Sequence, residues 1–420
     1  MMRWSIAIAT VMALAVPAAG QLVPRGIGSV VSPAGGMIGD VVEELGSNIN
    51  EMTRQVAALA DARLDRLRAV VSRSGRTLEM TQEGPAVRRQ ILAVDPDPAA
   101  LAAAHTAGLQ IERDEQIEGL DLRSITFSVP AGVSVDRQLA LLRKASPGTS
   151  FAANHIYFES GRSRATPGGG AALQKGRADG GIGMIDGGVA AHPTLTGSVE
   201  QRGFVGGSPA PSAHGTAVAS LIAGSGVIKG SAPGTPLLVA DVYGNDPVGG
   251  NVLAIARALG WLVERKAPVI SVSLVGPPNA LLERTIKVVQ ARGVMVLAAV
   301  GNDGAASPLS YPASYPGVIA VTAVDRRNKV LIEAGRSLHV DYAAPGANMA
   351  AANNAGRWNI VRGTSFAVPL VAGLAWKAGV NRARREQALA QMAVDLGKPG
   401  PDPVYGIGLL CGACRNDPKK

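Results

Sequence analysis

Apolar positions recur along the chain in three rhythms, and each predicts a different kind of structure. From Gly39 to about Val71, Leu45, Ile49, Met52, Val56 and Leu59 fall at steps of four and three, and Leu64, Leu67 and Val70 continue the stripe. This spacing gathers them on one face of an amphipathic helix. A partner helix or the rest of the chain could cover that face; the few clean heptads favour the chain itself. Between residues 89 and 158 the rhythm changes every few residues. Segments 90–94, 109–113, 122–129 and 155–158 read as strands; Asp97 caps and Pro98 opens a helix ended by Gly108, and 134–145 forms a second helix. That order predicts a small α+β domain of the split βαβ, ferredoxin-like type.

After Gly181 the strands become wholly apolar. Runs at 182–185, 237–242, 269–274, 294–299 and 318–323 alternate with helical segments that follow His214, Asn251, Asn279 and Ser365. This predicts an α/β domain over 180–420, a parallel sheet with helices on both faces and a ligand site beyond the carboxyl ends of its strands. Residues 159–179, rich in Gly, Ser, Arg and Ala, read as the linker between the two domains.

The first 20 residues stand apart. Met1-Met2-Arg3 precedes an apolar run from Trp4 to Val16 and then small residues to Gly20. About 13 apolar residues are too few to span a bilayer, and the pattern is that of a secretory signal peptide. A secreted or periplasmic protein is expected, without membrane attachment once the signal is removed. Residues 21–37, rich in Gly, Pro and Ser, lead flexibly into the helix, so 21–88 forms one preparatory segment.

Composition changes this picture in three places. Aromatics make up 4% of the 420 residues, so the core is built from Ala, Val, Leu and Ile. The net charge of +9 lies entirely after residue 165: residues 1–165 hold 17 basic and 17 acidic side chains, and 166–420 hold 24 and 15. The basic residues are scattered and no aromatic ladder accompanies them, so nucleic acid is not an expected partner. Cys411 and Cys414 are the two cysteines, too few for a disulfide framework, and they fit either a local disulfide or two thiols.

Three local motifs carry chemistry. Asp186, in Ile185-Asp186-Gly187-Gly188, ends a buried strand; His214 opens the small-residue helix His214-Gly215-Thr216-Ala217; Ser365, in Gly363-Thr364-Ser365-Phe366-Ala367-Val368-Pro369, sits at or near the first turn of another. Free N–H groups at such a turn favour a developing negative charge. The last motif is not Gly-x-Ser-x-Gly, which argues against an α/β-hydrolase elbow. With acid, histidine and serine in this order, residues 180–410 resemble the subtilisin-like serine proteases. Ala298-Ala299-Val300-Gly301-Asn302-Asp303-Gly304 and Tyr405-Gly406-Ile407-Gly408-Leu409 are similar to two further segments of that family.

The resemblance implies roles for particular residues. Ser365 would be the nucleophile, His214 the general base and then acid, Asp186 its orienting group, and Asn302 with the Ser365 N–H the oxyanion hole. It further implies an exported endopeptidase acting on protein or peptide substrates, made as a zymogen whose domain at 89–158 is an inhibitory propeptide, with self-cleavage in 159–179. The alternative is a weak or once-only self-processing protein of this fold that acts by binding. Substrate contacts would come from Ser273, Leu274, Val275, Gly276, Gly301 and Ser310. Val275 and Val300 replace smaller residues and the walls carry no acid, so small or medium apolar residues are expected on the acyl side of the cut bond (P1), with basic ones disfavoured. No cofactor is expected, and the few acids after residue 165 give no calcium loop, so no metal is expected. Two departures stand out: Gly187 removes a hydroxyl that would support Asp186, and Phe366 replaces the methionine usual after the nucleophile.

Overall fold

In chain order a helix, α1, covers 57–73 and leads into β1 (Leu78–Met80), β2 (Pro85–Val94), α2 (Pro98–Thr106), β3 (Gln110–Gln116), β4 (Arg123–Ser128), α3 (Val135–Ala145) and β5 (Ser150–His155). The computed structural model describes residues 54–55, 57–161, 170–246 and 248–417, all within the unit Thr53–Lys420. The expected signal peptide, the flexible stretch and the first part of the expected helix lie outside the described residues. β3, β4, β2 and β5 form an antiparallel sheet in that order, and β1 pairs the start of β2. The two helices are capped where their sequences indicate, by Asp97 on the Ala100 N–H at 2.7 Å and by Ser134 on the Arg137 N–H at 3.4 Å.

The final strand differs from the reading at 155–158. It is β5, Ser150–His155, and the chain then leaves the sheet to form β6 (Phe158–Glu159), which pairs with β11 (Leu274–Val275) of the second domain. Buried Asn154 and His155 interrupt the apolar pattern of β5, which is why pattern alone placed the strand too late. The Asn154 amide donates to Gln90 and the Asn279 amide meets the His155 ring at 3.0 Å, so polar side chains satisfied one by one replace the expected apolar register.

The second domain holds one seven-stranded sheet. Its strands are β7 (Ile182–Asp186), β8 (Val199–Gly203), β9 (Leu237–Asp241), β10 (Val269–Val272), β12 (Met295–Ala299), β13 (Ile319–Val324) and β14 (Tyr342–Pro345), all parallel, in the order β14-β13-β12-β10-β7-β9-β8. Alternate side chains enter opposite cores: Ile182 and Met184 pack with α4 (Ala213–Ala223) and α7 (Val368–Lys377), while Ile185 packs with α5 (Val252–Glu264) and α6 (Ala280–Ala291). Burial on both faces explains the continuous apolar runs. Chain order reverses at β7, the position where an open parallel sheet leaves a crevice beyond its strand ends.

Pattern reading missed β8, β14, the antiparallel hairpin β15–β16 (Ala347–Ala352, Trp358–Arg362) and α8 (Arg382–Met392). β8 is an edge strand reading Val-Glu-Gln-Arg-Gly, and α8 buries only Arg385 and Leu389, so neither shows an apolar period. Cys411 and Cys414 form a disulfide, with their Cα atoms 5.1 Å apart. Among the described residues no helix is long and apolar enough to cross a membrane.

Candidate active site

Each reactive side chain is delivered by the end of an element. Asp186 is the last residue of β7, and His214 lies in the first turn of α4, whose cap Ser212 accepts from the Gly215 N–H at 2.8 Å. Ser365 sits at the start of a helix, as expected, in a single 3-10 turn, Thr364–Phe366, just before α7. The fold brings the three together beyond the sheet. Asp186 Oδ1 is 2.9 Å from His214 Nδ1, and His214 Nε2 is 3.0 Å from Ser365 Oγ. All three are buried.

The remaining contacts orient this triad. The Gly187 N–H donates to Asp186 Oδ1 at 2.7 Å, while Asp186 Oδ2 has no protein hydrogen-bond partner. Gly187 has a physical reason: a Cβ there would come within 2.5 Å of Ser212 Oγ and 2.9 Å of Ser212 Cβ, so the helix cap fills the space a serine or threonine would need. Phe366 is fully buried with its ring 5.2 Å from the His214 ring. It backs the imidazole rather than opening the site.

The cleft already holds a peptide, the chain's own. Ser160 donates its N–H to the Ser273 carbonyl at 3.0 Å, and its carbonyl oxygen accepts from the Ser365 N–H at 2.9 Å and from Asn302 Nδ2. The Thr364 N–H donates to Asn302 Oδ1 at 3.0 Å, which fixes the amide with its NH2 group toward that carbonyl. Gly161 follows directly over the nucleophile: a Cβ on it would collide with Ser365 Oγ and lie 2.8 Å from Phe366. The Ser160–Gly161 peptide therefore lies where an acyl-transfer substrate lies. Upstream, Tyr157 is fully buried against Gly276, donates its N–H to the Gly250 carbonyl at 2.8 Å and its OH to the Pro277 carbonyl at 2.6 Å.

The expected substrate-binding residues fall into two groups. Ser273, Leu274, Val275 and Gly276 line Tyr157–Ser160, whereas Gly301 packs directly against Ser310 beside Val275. Sequence reading bounds the expected cleavage within 159–179 but singles out neither Tyr157 nor Glu159, Ser160 and Gly161, which sit at the very boundary it draws between small domain and linker. The two-residue strand β6 has no period to detect.

Electrostatics centre on His214. Burial alone would lower its pKa, but the negative charges of Asp186 and then Glu159, with the Asp186 hydrogen bond, outweigh it and raise it to about 9. Glu159 Oε1 lies 4.0 Å from His214 Nδ1. Burial raises the Glu159 carboxyl; the His214 charge opposes this, and Asp186 and Asp241 add to it. Among the described residues Glu159, Asp186 and His214 also form a cluster of metal-ligand spacing, but it is the triad itself with one residue of the bound segment.

An acid, an imidazole and a serine in hydrogen-bonded series, with two donors on a peptide carbonyl, make a serine-protease arrangement. The family model of the subtilases matches residues 181–408. The chain is a subtilase, a serine endopeptidase. It is 36% identical to subtilisin BL of Lederbergia lenta over 204 residues, 46% of this chain and 74% of that protein. Against the M-protease of Shouchella clausii the identity is also 36%, and the match spans only 52% of that relative. The subtilase shares its fold with fervidolysin from Fervidobacterium pennivorans, at a TM-score of 0.61 and 20% identity over 80% of this chain and 62% of that one.

Proposed function

We propose that this subtilase is the precursor of an exported endopeptidase and that its first substrate is its own Ser160–Gly161 bond. One observation carries the reading: the Ser160 carbonyl oxygen accepts from both the Ser365 N–H and Asn302 Nδ2 while His214 Nε2 is 3.0 Å from Ser365 Oγ. Ser365 Oγ attacks the Ser160 carbonyl carbon as His214 Nε2 takes the hydroxyl proton. The oxyanion forms between the two donors, and Asp186 stabilises the imidazolium. His214 then hands the proton to the Gly161 nitrogen, the peptide bond breaks, and water hydrolyses the acyl-enzyme with His214 again as base. Residues up to Ser160 act as a propeptide that occupies the cleft as substrate and remains as product.

After release, the strand Leu274–Val275 and the oxyanion pair are free for protein or peptide substrates in trans. The apolar run Trp4–Val16 supports export. The test is labelling of the purified chain with an active-serine phosphonate. Labelling of the processed form, lost in Ser365→Ala, is expected; an unlabelled processed form would refute a catalytic Ser365.

A further inference from the structure

The bound segment brings an acid of its own to the triad. Glu159 stands one residue before Ser160, at P2. β6 pairs it with Leu274 and the Ser160 N–H donates to the Ser273 carbonyl at 3.0 Å, so backbone bonds fix where its side chain emerges. Its Oε1 lies 4.0 Å from His214 Nδ1, the ring nitrogen that also meets Asp186 Oδ1 at 2.9 Å. One oxygen of each carboxyl and one ring nitrogen all fall within 4.8 Å of one another. Gly187 leaves room for this: a Cβ there would stand 3.7 Å from Glu159 Oε1, and a longer side chain would crowd the carboxyl. The charged groups that face the imidazole are therefore Asp186 at the end of β7 and Glu159 on β6. Asp241 at the end of β9 acts on Glu159, and Phe366 backs the ring without charge.

Building on the self-cleavage reading, we propose that Glu159 is a substrate-borne positioning residue: it acts through His214, stabilising the imidazolium that forms as Ser365 attacks Ser160, and the processed chain accordingly turns over a P2 glutamate faster than a P2 glutamine. While His214 is neutral, the Glu159 carboxylate gains nothing from it and is opposed by burial and by the charges of Asp186 and Asp241. As the Ser365 hydroxyl proton moves to His214 Nε2 and the bond from Oγ to the carbonyl carbon forms, a positive charge appears on the ring 4.0 Å from that carboxylate, and the unfavourable site becomes favourable. An interaction absent before the attack and present during it lowers the barrier without tightening substrate binding. It ends when the proton passes to the Gly161 nitrogen and the peptide bond breaks. The benefit depends on pH. Below the value of about 9 at which His214 loses its proton, the imidazolium and its attraction to Glu159 exist before the attack, so the gain in the barrier is offset by the cost of first removing that proton.

The test follows self-cleavage of the full chain after dilution from denaturant, on both sides of the His214 value, for wild type and Glu159→Gln. Well above that value the variant should be about tenfold slower, one pKa unit of lost attraction at a partly wet site; well below it the two rates should converge. Equal rates at every pH, or a deficit of the same factor at every pH as a purely structural role would give, overturn the assignment and leave the endopeptidase reading intact. A second arm needs no variant to fold. The wild-type chain, left to process itself, receives two quenched-fluorescent peptides with the sequence of residues 157–161 that differ only at P2, glutamate in one and glutamine in the other. At the same high pH the glutamate peptide should show a kcat about tenfold higher and a KM no lower. Equal kcat values overturn the assignment. A wild-type chain that cleaves neither itself nor the peptides overturns both readings.

Discussion

The two domains of this chain hold themselves together by different means, and their contact combines both. The parallel-sheet domain buries its strands on two faces, and the polar groups it buries there include the triad. The small domain buries one sheet face under its own helices, through Ile91, Ala93, Ile125 and Phe127, and sets Leu92 and Val94 of the other against α5 and α6; β3 is exposed along most of its length. Where they meet, one class of contact is ionic and partly wet: Glu115 with Arg257 at 2.5 Å, Glu118 with Arg202 at 2.7 Å, Asp121 with Arg292 at 3.5 Å and Asp95 with Arg284 at 3.9 Å. In each pair the acid belongs to the small domain and the arginine to the larger one. The excess positive charge after residue 165 therefore has partners within the chain. The other class is buried: Leu92, Val94, Ile117, Leu120 and Leu122 join the core of α5 and α6, and Tyr157 joins it from the segment that runs on to Ser160. Exposed pairs contribute about 0–1 kcal/mol each. The grip is therefore shared between the apolar sheet face on α5 and α6 and the anchor Tyr157, while the ionic rim steers and aligns.

That comparison breaks most completely at the nucleophile. In subtilisin, removing the catalytic serine costs about 2 × 10⁶ in kcat. Ser365→Ala should therefore accumulate as the full-length chain, with both domains folded, when followed by gel and mass spectrometry. Maturation of this variant in a host lacking other proteases would contradict self-processing. Asn302→Ala should slow self-cleavage by about 10²–10³, the cost of a lost oxyanion donor in subtilisin. A rate within a few-fold of wild type would mean that the Ser365 N–H suffices.

The anchor comes next in size. Phe or Trp to Ala in a core costs about 3–5 kcal/mol, and Tyr157→Ala should weaken retention of the cleaved small domain by two or more orders of magnitude. Neutralising Glu115 and Glu118 should change it by less than tenfold at physiological salt. If the glutamate variants release the domain as readily as Tyr157→Ala, the division between grip and alignment is wrong.

The smallest effect concerns pH. His214 must be neutral to accept the Ser365 proton, and with its pKa raised to about 9 in the precursor, self-cleavage should slow as pH falls through that value. The limb lies well above the ordinary histidine value of about 6.5. Glu159 supplies part of the raising charge, so Glu159→Gln should move this limb to lower pH, as should departure of the segment after cleavage. Rate against pH for the two precursors checks the sign; coincident limbs would remove Glu159 from the account.

What the sequence discloses here follows from the range of the interactions. Asp186, His214, Asn302 and Ser365 sit in motifs a few residues long, each tied to a strand end or helix start, and are legible together, by their order along the chain and its resemblance to the subtilisin-like proteases. The α/β alternation is legible because both faces of each central strand are apolar. The pairing of Asp303 is not legible, since its partners Arg63 and Arg66 lie more than 230 residues away. Nor is the need for Gly187, because it depends on Ser212 packing against β7's end. Tyr157–Gly161 escapes for a third reason: an extended segment bound by backbone bonds to a foreign strand needs no pattern of its own.

The new N-terminus tests most directly whether Ser160–Gly161 is seated as substrate. Intact-mass and N-terminal sequencing of the wild-type chain after self-processing should give a product that begins at Gly161, absent from Ser365→Ala. A first cleavage product that begins elsewhere in 162–179, with Ser160–Gly161 intact, would contradict the account.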